Sequence, residues 1–140
     1  MVRLELHRAD NAFAFEAKDA EGHTMRMDAA ATIGGNNSGV RPMQAMLMSM
    51  GGCSGIDLVS ILQKQRQEIG DIEMIIEAER EKDKEPALWT YVHITFRFGG
   101  NVDMDKAHKA CALSIDKYCS VAATLRAAGC IIECKAEHKG

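Results

Sequence analysis

Five cysteines, at positions 53, 111, 119, 130 and 134, are the strongest nucleophiles in this chain. A thiolate is the attacking and reducing form, and how much of it exists depends on burial and on nearby charge or dipoles. Most free cysteines are small buried hydrophobes, so the question is which positions offer more. Cys53 directly follows Gly51-Gly52 inside a stretch otherwise suited to a helix. Two glycines cost a helix roughly 1 kcal/mol each relative to alanine, a cost accepted most readily where a backbone or a ligand must come close. The pair leaves an access slot beside the thiol, although tight helix crossing with Cys53 merely packed fits the same residues. Cys119 stands just before Ser120 at the expected start of a helix. Unpaired N–H groups and the positive end of the helix dipole favour a thiolate there, and Lys117 adds to that field if it turns inward. A thiol buried in a helix corner fits that position equally well.

The other thiols offer less. Cys111 lies among Ala107, Ala110 and Leu113, a core pattern. Cys130, Cys134 and His138 are spaced by four, but strand residues four apart are ~13 Å from each other, too far to share an ion. No metal and no cofactor is therefore expected. A cysteine–histidine pair needs one of histidines 7, 23, 93, 108 or 138 near Cys53, and nothing in the sequence selects one.

The elements that must position these residues are readable from periodicity. Val2, Leu4 and Leu6 alternate with Arg3, Glu5 and His7, the period of a half-buried strand. Phe13 and Phe15 continue after the turn Asp10-Asn11, and Met25 and Met27 belong to a third strand after the turn at 19–22. Glycines and asparagines at 34–39 form a loop. Pro42 suits a first helical position, and the pattern predicts one helix from 43 to about 68. Its first half is apolar on every face, so something must surround it, and a partner subunit is the natural candidate. Two strands follow, at 72–77 and 88–98, the second ended by Gly99-Gly100. Asp103 is a suitable N-cap for a helix to about 118. A shorter helix at 120–128 stops at Gly129, and 130–137 closes the chain as a strand. The order βββ-α-ββ-αα-β, without regular βαβ alternation, is an α+β arrangement.

Bulk properties narrow the function. The 140 residues, 46% hydrophobic and 26% charged, suit a single globular domain spanning 1–140. A net charge of −3 with no long basic run gives nucleic acid no electrostatic footprint. The longest uncharged stretch, 42–56, is shorter than the ~18 to 20 apolar residues of a membrane span, and the charged N-terminus lacks a secretory apolar core. The cytoplasm is the expected compartment. Thiols stay reduced there, which argues against a structural disulfide framework.

The segment Gly34-Gly35-(x)3-Gly39-(x)2-Pro42-(x)8-Gly51-Gly52-Cys53-Ser54-Gly55-Ile56-Asp57, together with Lys117-Tyr118-Cys119-Ser120-Val121, resembles the OsmC/Ohr family of osmotically inducible and organic hydroperoxide resistance proteins. The likeness extends over almost the whole chain, in a branch marked by the sequence from Gly51 to Asp57. It implies an intertwined homodimer, with sheets wrapped around a pair of central helices and an active site at the interface. It also implies a peroxidatic Cys53 and a resolving Cys119, an organic hydroperoxide as substrate, and a dithiol reductant, of lipoyl type in some members. Met46, Met50 and Ile56 would supply an apolar wall. The chain departs from the family at Met43, where characterised reductases carry glutamate, and only Arg8 lies near the place of their early arginine. Asp57, one turn beyond Cys53, would raise the thiol pKa if it faced inward. A different class fits the same residues: an OsmC-like dimer that binds a small apolar or thiol-reactive ligand without turnover. A purely structural dimer with inert thiols is a third.

Overall fold

The computed structural model describes residues 1–140 and is α+β, with six strands in two sheets and three α-helices in the expected order. It divides into two compact units, residues 1–46 and 47–140.

The first unit is an antiparallel meander of β1 (Glu5–Arg8), β2 (Phe15–Lys18) and β3 (Thr24–Met27). Its strands are shorter than the alternation implied, because aspartates take over the backbone donors where each turn begins. Asp10 accepts from the N–H groups of Ala12 and Ala14, and Asp19 from those of Glu21 and His23. Leu6, Phe15 and Met25 share one face of this sheet by register, and each stays at least 43% exposed. After β3 the chain folds over Asp28, whose buried carboxylate accepts from Ala29 N–H, Asn36 N–H, Ser38 N–H and the Ser38 hydroxyl. Gly35 must be glycine, since a Cβ there would run into the Ala29 carbonyl.

The helix α1 (Pro42–Lys64) starts at the proline and ends four residues short of the expected limit. The reason lies in its last turn. Arg66 adopts a left-handed φ of 55°, its N–H reaches the Gln63 carbonyl, and the Gln67 N–H reaches Leu62. These two bonds close the helix as a Schellman motif, with arginine where glycine is usual. By length and composition α1 could cross a membrane, being longer than the uncharged stretch within it. In the second unit, however, Met50, Ser54, Leu58 and Leu62 form a seam with no exposure at all, as in the core helix of a packed layer.

That layer lies against a sheet in the order β4 (Ile72–Arg80), β5 (Trp89–Phe98), β6 (Ile131–His138). Alternation in the central strand β5 puts Val92, Ile94, Phe96 and Phe98 into the core with α1. β4 and β5 are antiparallel, whereas β5 and β6 are parallel, a pairing that periodicity did not reveal. The parallel pair requires a crossover. It is supplied by α2 (Met104–Leu113), a single π-type turn (Ser114–Tyr118) and α3 (Ser120–Ala127). Asp103 caps α2 as expected, accepting from Asp105 N–H and Lys106 N–H.

The first unit yields a test of its loop. Ser38 donors, before all else, hold the Asp28 carboxyl at about 2 instead of the ordinary 3.8. A pKa depressed by folding contributes stability in full above the ordinary value, and loses it as pH falls through the folded one. Hydrogen exchange should therefore find Asn36 and Ser38 N–H protected at pH 5 to 7 and released as pH falls from about 4 to 2. In Asp28→Ala they should be unprotected throughout; unchanged protection there would mean that another group holds the loop.

Candidate functional site

Cys53 sits midway along α1 and is half-buried. The two preceding glycines do different things. Gly51 is buried against the sheet, where a Cβ would stand 3.1 Å from Ile76 Cδ1 on β4. Gly52 faces open space and, with Gly55, Ile56 and Met74, lines a groove of about 600 Å³ between α1 and β4. Gly51 thus permits a close approach, by a strand where the sequence suggested a helix crossing, and Gly52 leaves the outer side of α1 bare. Ser54 turns inward and donates to the Met50 carbonyl at 2.8 Å, with Gly51 O at 3.2 Å. A hydroxyl that bonds back into its own helix is satisfied without a partner elsewhere, so it can occupy the core.

Cys119 arrives from the crossover. The N–H of Cys119 bonds the Ser114 carbonyl at 2.7 Å, five residues back, which winds the chain by an extra residue before α3 begins. Arg126 clamps this turn, donating to Ile115 O, Asp116 Oδ1 and the β6 carbonyl of Ile132. Cys119 then caps α3, its sulfur accepting from Ala122 N–H at 3.4 Å. The thiol is 2% exposed, has its sulfur 3.8 Å from the Met50 carbonyl oxygen, and lies near enough to Cys53 for that group to raise its pKa. The structure therefore brings together the two cysteines that the sequence singled out.

Of the two readings the sequence leaves open at Cys119, the buried thiol is the one the structure shows. The helix N-terminus is there, yet burial outweighs it and raises the thiol pKa, the Cys53 sulfur adding to the rise while Ala122 N–H opposes it. Lys117 is exposed, with its ammonium over the Tyr118 ring at 5.3 Å. A pKa raised above the ordinary 9.0 leaves Cys119 protonated at neutral pH. The other cysteines are also held as thiols. Burial drives Cys111 up to about 12 and raises Cys130 and Cys134, with Arg126 opposing the rise at the last two.

Other expected members are engaged elsewhere. Arg8 donates to Asn11 O and Ala12 O in its own hairpin. Met50 is fully buried, and its carbonyl, shared by Ser54 and Cys119, is the part that serves the site. His23 pairs with Asp19, His93 with Thr95 and His138 with the Gly100 carbonyl. No three metal-ligating side chains converge anywhere in the chain. Sequence reasoning missed Ser54, Arg126 and the Met50 carbonyl. Only Ser54, beside Cys53, carried any signal, since a backbone carbonyl and a distant arginine leave none.

Residues 35–135 match the family model described as OsmC-like protein. Protein YhfA of Escherichia coli K12 is 42% identical over 118 residues, covering 81% of this chain and 82% of that protein. The crystal structure of a hypothetical protein from Aquifex aeolicus is 28% identical, with a TM-score of 0.80 over 100% of this chain and 98% of that one. An organic hydroperoxide resistance protein OsmC from Legionella pneumophila has the same fold at 13% identity, with a TM-score of 0.70 over 100% and 97% of the two chains.

Differences in burial among the thiols set an order of reactivity. Iodoacetamide at neutral pH should label Cys53 first, and Cys111 should resist until the protein is denatured. Peptide mapping over time checks this. Native labelling of Cys111 as fast as Cys53 would contradict the burial that orders them.

Proposed function

The chain belongs to the OsmC-like protein family, and from that membership we propose that it reduces organic hydroperoxides, with Cys53 as the attacking thiol and Cys119 as the resolving one. The observation that carries this reading is the proximity of a half-buried thiol on α1 and a buried thiol at the start of α3, from distant parts of the chain. The name of the Legionella protein, organic hydroperoxide resistance, supports the same chemistry.

The steps follow from the division between the two sulfurs. A Cys53 thiolate attacks one peroxide oxygen, the O–O bond breaks, and the alcohol departs with a proton. The resulting sulfenic acid is prone to further oxidation unless a thiol captures it. Cys119 is a near neighbour, and, being protonated at rest, it does not compete for the peroxide. Water leaves, a disulfide forms, and an external dithiol of lipoyl type returns both sulfurs to thiols. The groove beside Gly52, walled by Ile56, Val59, Ile72 and Met74, suits an apolar substituent on the peroxide.

Part of the same proposal is a homodimer. The uncovered face of the meander, with Leu6, Phe15 and Met25, is matched by exposed Met46, Met48 and Ile56 on α1. Apolar surface of this extent on a small protein marks an interaction site. Within this proposal the protein works in the cytoplasm, where its five free cysteines stay reduced.

A second reading, a dimer that binds a small apolar or thiol-reactive ligand without turnover, draws on Met43, which leaves the thiol without the expected carboxylate. Peroxide consumption with a dithiol reductant separates the two. Cys53→Ser should abolish turnover, and Cys119→Ser should give one turnover and then stall or over-oxidise. Equal steady-state rates in both variants and the parent would remove the assignment. Replacing Cys111, Cys130 and Cys134 together should lower stability, since buried thiols pack as small hydrophobes, while sparing turnover per folded molecule. In solution the mass should be about twice 15.3 kDa. A stable monomer at micromolar concentration would contradict the dimer.

A further inference from the structure

The Oδ2 atom of Asp57 is buried and has no hydrogen-bond partner. An unpaired buried carboxylate oxygen is costly, and native proteins retain few of them. Asp57 follows Cys53 by four residues on α1, so the two side chains occupy one face about 5 to 6 Å apart at their Cβ atoms. It also lines a pocket of about 360 Å³ with Tyr118, the residue immediately before Cys119. The turn that brings Cys119 to Cys53 therefore packs on the side of α1 that carries Asp57. Ser60, Lys64 and Gln65 line the same pocket, and a polar recess of that size has room for water. The titratable groups around Asp57 are Cys53 and Lys64 on its own helix, and Tyr118 and Cys119 from the turn against it.

We propose that Asp57 is the proton carrier of disulfide closure between Cys53 and Cys119, a role that rests on the peroxide-reducing reading above. In this step the S–O bond of the Cys53 sulfenic acid breaks and the S–S bond forms. The Cys119 sulfur is oxidised and the Cys53 sulfur is reduced. Cys119 must lose its proton to attack, and the departing hydroxide must gain one to leave as water. A carboxylate one helical turn from Cys53, on the side of α1 against which the turn before Cys119 packs, takes the first proton and delivers the second, directly or through a water. No further reactant is required. The need is acute here, because the Cys119 thiol is buried beside another cysteine. Met43, by contrast, can move no proton.

The test is a single-turnover experiment on the full chain with one equivalent of cumene hydroperoxide, quenched over time and read by mass spectrometry. Asp57→Asn should form the sulfenic acid within about twofold of the parent rate, and close the disulfide at least tenfold more slowly at pH 7, a loss typical of a missing general base. Its closure rate should climb about tenfold per pH unit, as free hydroxide replaces the carboxylate, while the parent profile stays nearly flat. Asp57→Glu should restore part of the rate, and Asp57→Asn should melt no lower than the parent, whereas a merely structural aspartate would lose stability and keep its closure kinetics. Closure in Asp57→Asn with the parent's rate and pH profile overturns the proposal. Should that variant not fold, parent closure proportional to hydroxide from pH 5 to 9 overturns it as well. Closure driven by diamide, which activates Cys53 without peroxide, separates the two readings. A chain inert to peroxide whose diamide-driven closure still depends on Asp57 refutes the peroxide reading and keeps the proton carrier; independence from Asp57 there refutes the carrier.

Discussion

The Cys119 sulfur donates to a carbonyl of α1 and accepts an N–H from α3, and on this one crossing the geometry of the candidate site depends. It joins two segments that are distant in sequence and holds them in a fixed relation. The Met50 carbonyl can serve because Ser54 and Cys119 share it, and because Met50 itself is locked in the core with no exposure. The π-type turn supplies the other half. Its extra residue, and the clamp of Arg126 onto Ile115, Asp116 and Ile132, aim Cys119 inward at the very start of α3. A π-bulge costs regular hydrogen bonding and is kept where a side chain has to be re-aimed.

The glycines of α1 carry a comparable tension between local preference and packing. Each weakens the helix. Gly51 lets β4 approach through Ile76, and Gly55 lets it approach through Met74, whose Cε would lie 3.0 Å from a Cβ there. Gly52 keeps the outer side of the helix bare. The flanking residues Leu58 and Leu62 are fully buried, at about 1.5 to 3 kcal/mol for each such side chain. Burial of that size offsets what the glycines remove.

Burial also sorts the thiols. Cys111 lies in the core, driven to about 12, and Cys119 is almost as hidden but lies beside Cys53, which with Cys134 is one of the two half-buried cysteines. A helix N-terminus lowers a thiol pKa only while its dipole outweighs the loss of water. At Cys119 the loss of water wins. Enclosure among Met50, Cys53 and the start of α3 produces that result.

Much was legible in the chain itself. Periodicity located all six strands and three helices, because alternation of two and of 3.6 residues reports directly which face is buried. Asp103, Pro42 and Gly129 marked their helix boundaries through local backbone chemistry, and the glycine-flanked Cys53 and helix-starting Cys119 stood out for the same reason. What tertiary structure decided is everything that depends on atoms far apart in sequence. The parallel pairing of β6 with β5 came from the crossover, whereas the early end of α1 turns on a local feature that no glycine announces, Arg66 accepting a left-handed φ. The proximity of the two sulfurs, the raised Cys119 pKa and the unpaired oxygen of Asp57 arise from packing of α1 against the 114–119 turn. Desolvation is a property of the surroundings, and a residue's neighbours along the chain do not reveal which neighbours in space will exclude water from it.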